Sequence, residues 1–328
     1  DAYVAGSELY TVKIGIAPLA KARWRRVVGR CTGRIGSLEI RNRILVTAMG
    51  VSLSESDGHV GERLTAYHEE HAKGGAGLII TGVAGVAWPV GAVQPNQTAI
   101  SDDRFLPGLK QLTERVHRHG AKIAVQLHHG GLVAGYSSDA FDQELWAPCY
   151  PPQLSGDFID YFLPEEMAGF TGKMPRIKVL EAADIDLVVE QFGAAAARAK
   201  AAGFDGIELH GGHGYLLSSF MSPKTNSRTD EYGGPLENRA RLLLRVIAAV
   251  RAAVGADFPV WVKLDTAEHG KEGGIELAHA IEAAKLVEAA GVDAITATSY
   301  HNAMIGKLHS ASNIPHEPET NIPAAAAI

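Results

Sequence analysis

Residues 202–210, AGFDGIELH, decide the fold. An alanine-rich stretch of helical period, about 183–202, runs up to them. Gly203 then stands where a helix ends in the left-handed conformation, which glycine adopts at little cost. A short turn follows, and then a compact apolar run that ends on a histidine. GGAGLIITG (74–82) and AGVDAITAT (290–298) repeat the pattern. Further out, strand-length apolar runs stand at 44–48, 122–127 and 260–264, and helix-period segments at 61–74, 104–119, 235–254 and 275–290. Continuous apolar runs of this length suit strands buried on both faces. Six alternating units of this kind read as an α/β chain built on a parallel sheet. Two features favour a (β/α)8 TIM barrel over a doubly wound sheet. Chemically loaded residues sit at the C-terminal ends of several separate strands. No G-x-G-x-x-G follows the first strand, where a dinucleotide fold would carry it. A full barrel has eight units and about six are found. Strands 7 and 8 are therefore expected to be missing, in a fragment or in a chain completed by another part, because an open barrel exposes its edges.

The remaining sequence divides simply. Residues 1–32 read as an N-terminal extension and 33–328 as the barrel. Within the extension, Lys13, Lys21, Arg23, Arg25, Arg26 and Arg30 suit a solvated arm, with an anionic partner as the alternative. A long insertion at about 131–180 carries Tyr136, Phe141, Trp146, Tyr150, Phe158, Tyr161 and Phe162 and reads as an ordered lid over a pocket. The 328 residues are 46% apolar and 21% charged, ordinary globular usage that excludes wholesale disorder. A net charge of −6 disfavours nucleic acid as the main partner. Two cysteines, Cys31 and Cys149, make neither a disulfide framework nor a CxxC cluster site. No apolar run is long enough to span a bilayer, and the start lacks the basic and apolar regions of a signal peptide. A cytoplasmic protein without membrane partners is expected.

The densest chemistry lies at the end of the fourth strand, in Glu208-Leu209-His210-Gly211-Gly212-His213-Gly214-Tyr215-Leu216. Two imidazoles there can hydrogen-bond one substrate oxygen and stabilise charge that develops on it. The Tyr215 phenol can supply a proton. A Gly-rich turn with incidental histidines is one alternative. A metal site is another, but HxxH at a strand end lacks the i, i+4 helical spacing of a zinc pair and no third ligand is evident. Lys263, in VWVKLD, is a lysine at the end of a buried strand; it suits an anionic ring system or a phosphate, or else a Schiff base. Gln126, in AVQLHHGG, needs partners for both its donor and its acceptor. A heterocycle with an imide edge would satisfy both, and so would a core bond to a neighbouring strand. His128 and His129 are less specific. Residues 222–251 read as a polar network, with Glu237, Asn238 and Arg239, that supports the preceding turn, and as a helix begun at Pro235.

The block IELHGGHGYLLSSFMSPKTNSRTDEYGGPLENRARLLLRVIAAVR (207–251) resembles the signature of the old yellow enzyme family of FMN-dependent ene-reductases, nearest to the longer branch typified by 2,4-dienoyl-CoA reductase. IGSLEIRNRILVTAMG (35–50), AYHEEHAKGGAGLIITG (66–82), SDDRFLPGLKQLTERVHRHGAKIAVQLHHGG (101–131) and VWVKLD resemble further segments of the family in the right order. The resemblance implies a barrel with FMN at its C-terminal mouth. It implies that Ala48, Met49 and Gly82 lie against the flavin and that Gln126 and Lys263 bond its pyrimidine edge. It further implies that His210 and His213 hold a substrate carbonyl oxygen, while Tyr215 protonates the adjacent carbon. NAD(P)H would be the reductant, the acceptor an α,β-unsaturated carbonyl compound or a CoA thioester, and the assembly a homo-oligomer or a chain completed by its missing C-terminal part. An iron–sulfur cluster and FAD would follow only in a chain that continues beyond Ile328. Two departures stand out. Where many members have His-x-Gly-Arg, this chain has His129-Gly130-Gly131-Leu132. The strands that carry the family's FMN phosphate site would lie beyond Ile328. A non-catalytic barrel subunit of a larger assembly and a Schiff-base lyase built on Lys263 are the alternative functions.

Overall fold

Alternation along the strands sets the architecture. In a strand, successive side chains point to opposite faces, so Ile207 and Leu209 share one face and Glu208 and His210 the other. The computed structural model describes residues 31–150, 175–269, 271–301 and 321–328, and the backbone of 3–4 and 9–10. Its centre is six parallel strands: β1 (Leu45–Val46), β2 (Leu78–Gly85), β3 (Lys122–His128), β4 (Gly206–Gly211), β5 (Val260–His269) and β6 (Ala294–His301). They pair in sequence order, β1 with β2 through to β5 with β6. A doubly wound sheet reverses its order at a switch point. Unbroken order is that of a barrel wall.

Five helices return the chain between strands: α1 (Glu62–Lys73), α2 (Leu106–His117), α3 (Ala182–Ala201), α4 (Arg241–Val254) and α5 (Leu277–Ala289). The repeated glycines do what the sequence predicts. Gly75, Gly203 and Gly291 take φ of +99°, +86° and +89° directly after α1, α3 and α5. The helix expected from Pro235 differs. It is split into Leu236–Arg239 and α4, and at the split Arg239 turns inward to donate to the Met221 carbonyl oxygen at 2.8 Å. Strand β1 is also shorter than its apolar run, since the chain leaves the ladder after Val46 and runs along the mouth of the sheet.

Two cores follow from the two strand faces. The outer one joins Ile79, Ile123, Val125, Ile207, Leu209, Val260 and Val262 to helix residues such as Leu109, Val188, Phe192, Val246 and Val287. The inner one is a floor. A hairpin, Gly33–Ile35 with Leu38–Ile40, inserts Ile35, Leu38 and Ile40 beneath Leu78, Ile80, Ala124, Trp261 and Ala294. Each of these three side chains contributes about 1.5–3 kcal/mol by burial. Among the described residues no helix is long and apolar enough to cross a membrane. The expected extension lies almost wholly outside the described residues, as does 151–174 of the expected lid. On either side of 151–174, Leu145–Ala147 pairs in parallel with Ile177–Val179.

Candidate active site

Above the floor, the C-terminal strand ends enclose a cavity of about 260 Å³. Of the residues singled out from the sequence, His210, His213, Tyr215, Ala48, Met49, Gln126 and Lys263 all line it. Gly82 lies just behind, where a Cβ would run into the Met49 carbonyl oxygen. Met49 is 40% exposed, an apolar side chain left open at the mouth. Gly82→Ala must push this segment into the cavity and is expected to cost about 1–3 kcal/mol, readable in a urea melt.

The imidazoles and the phenol form one cluster. The His210 ring lies 4.8 Å from that of His213 and 4.6 Å from that of Tyr215, with planes about 70° apart in both pairs. His128 closes the group, edge-on to Tyr215 at 4.5 Å. Burial and the nearby His213, Lys263 and His128 hold the His210 pKa well below the ordinary histidine range. It is therefore a neutral hydrogen-bonding group at neutral pH. His213 Nε2 and Thr298 Oγ1 are hydrogen-bonded at 2.8 Å, in a direction set by the tautomer. The turn differs from a purely glycine-made one. His213 itself takes φ +63°, next to Gly214 at +71°, while Gly211 and Gly212 do not enter the left-handed region.

Beneath the imidazoles lies a carboxylate that motif reading gives no role. Glu208 is fully buried in the barrel interior. Its Oε2 accepts from Gln126 Nε2 at 2.5 Å, and its Oε1 accepts from Trp261 Nε1 at 2.9 Å and Thr296 Oγ1 at 2.6 Å. Gln126 thus makes the core bond to a neighbouring strand and lines the cavity as well. The signal for Glu208 was present in the sequence, as a single acid inside an apolar strand. Its partners were not readable, because they depend on register. Glu208→Ala strands three buried donors and is expected to cost about 3 kcal/mol or more, measured by chemical denaturation. Thr298, Asp265 and Gln94 are further residues at or beside the cavity that motifs did not mark. Asp265 Oδ2 accepts from the His213 backbone N–H at 2.7 Å and from Ser218 Oγ at 2.9 Å.

Other expectations resolve locally. His129 is buried, with Nδ1 accepting from the Gly131 N–H at 3.1 Å. Neither ring nitrogen of His128 has a hydrogen-bond partner among the described residues. Leu132, where the resemblance leads one to expect an arginine, is buried in a small apolar cluster with Ala134, Leu145 and Ala147 and is not among the residues that line the cavity. The network after the turn is present: Asn226 Nδ2 donates to the Phe220 and Tyr232 carbonyls, both at 2.7 Å, and Asn238 Nδ2 to that of Gly233 at 3.1 Å. Glu237 is exposed.

Sequential parallel strands with polar side chains gathered at one end place the molecule among the TIM-barrel enzymes. The chain belongs to the NADH:flavin oxidoreductase / NADH oxidase family, whose sequence profile matches residues 34–321. It is 40% identical over 260 residues to an NADH oxidase of Thermoanaerobacter brockii, covering 79% of this chain and 37% of that protein. It is 37% identical over 281 residues to a cinnamate reductase of Clostridium sporogenes, covering 80% of this chain and 40% of that protein. The chain thus spans two-fifths or less of these relatives. Among solved structures, an old yellow enzyme from a Pichia species superposes with a TM-score of 0.64 at 31% identity, covering 74% of this chain and 60% of the other. The likeness to old yellow enzymes read from the 207–251 block holds across the barrel.

Proposed function

We propose that the chain is the barrel of an FMN-dependent ene-reductase, which uses NAD(P)H to reduce the activated C=C bond of an α,β-unsaturated carbonyl or enoyl/dienoyl-CoA compound. The observation that carries the reading is the assembly, in one cavity, of two imidazoles (that of His210 held neutral), a phenol and an amide beside a lysine. FMN fits the residues present. The Gln126 carbonyl oxygen is left to accept from an imide N–H because the amide nitrogen is held by Glu208. Lys263, buried two strands away on β5, can donate to a ring carbonyl. Ala48 and Met49 supply an apolar wall. When bound, the flavin supplies hydride transfer between the nicotinamide and the alkene.

The protein's own residues do the rest. His210 and His213 hold the substrate carbonyl oxygen and stabilise the charge that grows there. Tyr215 gives its proton to the α-carbon. A barrel phosphate site forms after strands 7 and 8, so this reading puts the FMN phosphate outside the six described strands. It also places the protein in the cytoplasm, as a homo-oligomer or completed by a further C-terminal part. Light scattering of the purified protein reads that state.

The test is the visible spectrum of the purified protein with and without added FMN, followed by anaerobic NADH or NADPH. A bound flavin band that bleaches, and recovers when an enone is added, is the expected result. A protein that ignores excess FMN, or binds it without being reduced, sinks the reading for this chain.

A further inference from the structure

We propose that Asp265, on β5, is a positioning residue: its carboxylate clamps the backbone of the His213 turn and so fixes where the His213 imidazole stands in the cavity. Its catalytic consequence rests on the function proposed above; the clamp itself does not.

Four observations converge. First, His213 is held at φ +63°, a conformation costly for a residue with a Cβ, which persists only where the surroundings over-determine it. Second, the peptide N–H of that same residue donates to Asp265 Oδ2 at 2.7 Å, and Ser218 Oγ braces the same oxygen at 2.9 Å. Third, the other oxygen, Oδ1, is buried with no hydrogen-bond partner among the described residues. It presses on the turn at Gly212, where a Cβ would stand only 2.9 Å from it. Fourth, the far end of His213 is tied by Nε2 to Thr298, and Thr298 is the β6 residue in register with Asp265. Backbone and ring are thus fixed from one rung of the β5–β6 ladder.

The ionisable and polar groups around the carboxyl are few. His213 faces it from the turn, Ser218 from the short helix Leu216–Met221, and Thr298 from β6. Its own strand and the next turn bring Glu268 and Lys271, which pair with each other at 3.2 Å. Burial, and then Glu268, push the Asp265 pKa up to about 7, while Ser218, the His213 N–H and Lys271 pull it down. A hydrogen bond to an ionised acceptor is stronger than one to its neutral form. The clamp therefore loosens as the carboxyl takes up a proton, and the His213 turn reports the change.

The experiment follows the His213 backbone amide proton in isotopically labelled protein over roughly two pH units either side of neutrality. In the native chain this proton resonates far downfield and moves with a midpoint near 7. Asp265→Asn keeps an acceptor oxygen, so the amide stays downfield but no longer titrates. Asp265→Ala shifts it upfield while the amides of α1 stay in place. An amide that does not move in Asp265→Ala overturns the proposal. Should that variant not fold, the comparison of native with Asp265→Asn decides: a titrating native amide beside a flat variant supports the clamp, and identical profiles overturn it. In flavin-loaded protein, Asp265→Ala is expected to lower kcat/KM for an enone about tenfold or more, with Asp265→Asn recovering most of the loss. The amide measurement needs neither flavin nor substrate. A chain that shows the clamp yet reduces no alkene overturns the proposed function and leaves the clamp standing.

Discussion

Tyr215→Phe is expected to leave flavin binding and its reduction by NAD(P)H unchanged while slowing alkene reduction by about 10²–10⁴. The asymmetry follows from the geometry. The phenol belongs to the cluster with His210 and His128, through ring contacts that phenylalanine reproduces. Only the hydroxyl is lost, and with it the group that the proposed function makes the proton donor to the α-carbon. Rapid-mixing kinetics separates the two half-reactions. A variant slowed equally in both would show that the ring, rather than its hydroxyl, matters, and would remove Tyr215 from the role of acid.

The second large effect is on stability. His68, His128, His129 and His210 are all buried, and burial lowers each pKa: His68 to about 4, His129 to about 3, the other two well below the ordinary value. The unfolded chain protonates these imidazoles near pH 6.5 and the folded chain does not. Their contribution is therefore complete above that pH and is lost as pH falls towards the folded values. Asp265 acts in the opposite sense, because its raised pKa lets the folded state take up a proton first. About three net protons are then bound on unfolding near pH 5, a slope of about 4 kcal/mol per pH unit. Urea midpoints should fall steeply between pH 6.5 and 5 and be nearly flat from 7 to 8. A flat profile through the acid range would mean that these imidazoles are charged within the fold. His68→Leu should lessen the slope by about one proton's share, near 1.4 kcal/mol per unit.

Much of this molecule is legible in its amino-acid sequence. Helix-ending glycines and buried apolar runs reveal the order of the six parallel strands, because in these sequentially wound strands chain order and spatial order coincide. Polar residues at strand ends reveal the cavity, because a period of two sends Gln126, His210 and Lys263 to the same side. What stays hidden is whatever depends on register. That Glu208 meets Gln126, Trp261 and Thr296, and that Asp265 stands level with Thr298, follows from strand offsets which no single segment encodes. The inward turn of Arg239 is hidden for a related reason: its acceptors are backbone carbonyls, which have no sequence signature.

The hairpin that floors the barrel has a consequence in time. Ile35, Leu38 and Ile40 leave the ribosome ahead of every strand they pack against, yet their last partners, Trp261 and Ala294, are made more than 200 residues later. At roughly 5–20 residues per second, that is a delay of about ten to fifty seconds. Through that interval the nascent chain carries an apolar hairpin with part of its cover missing. A stalled or shortened message would release it in that state, as a natural client for a chaperone.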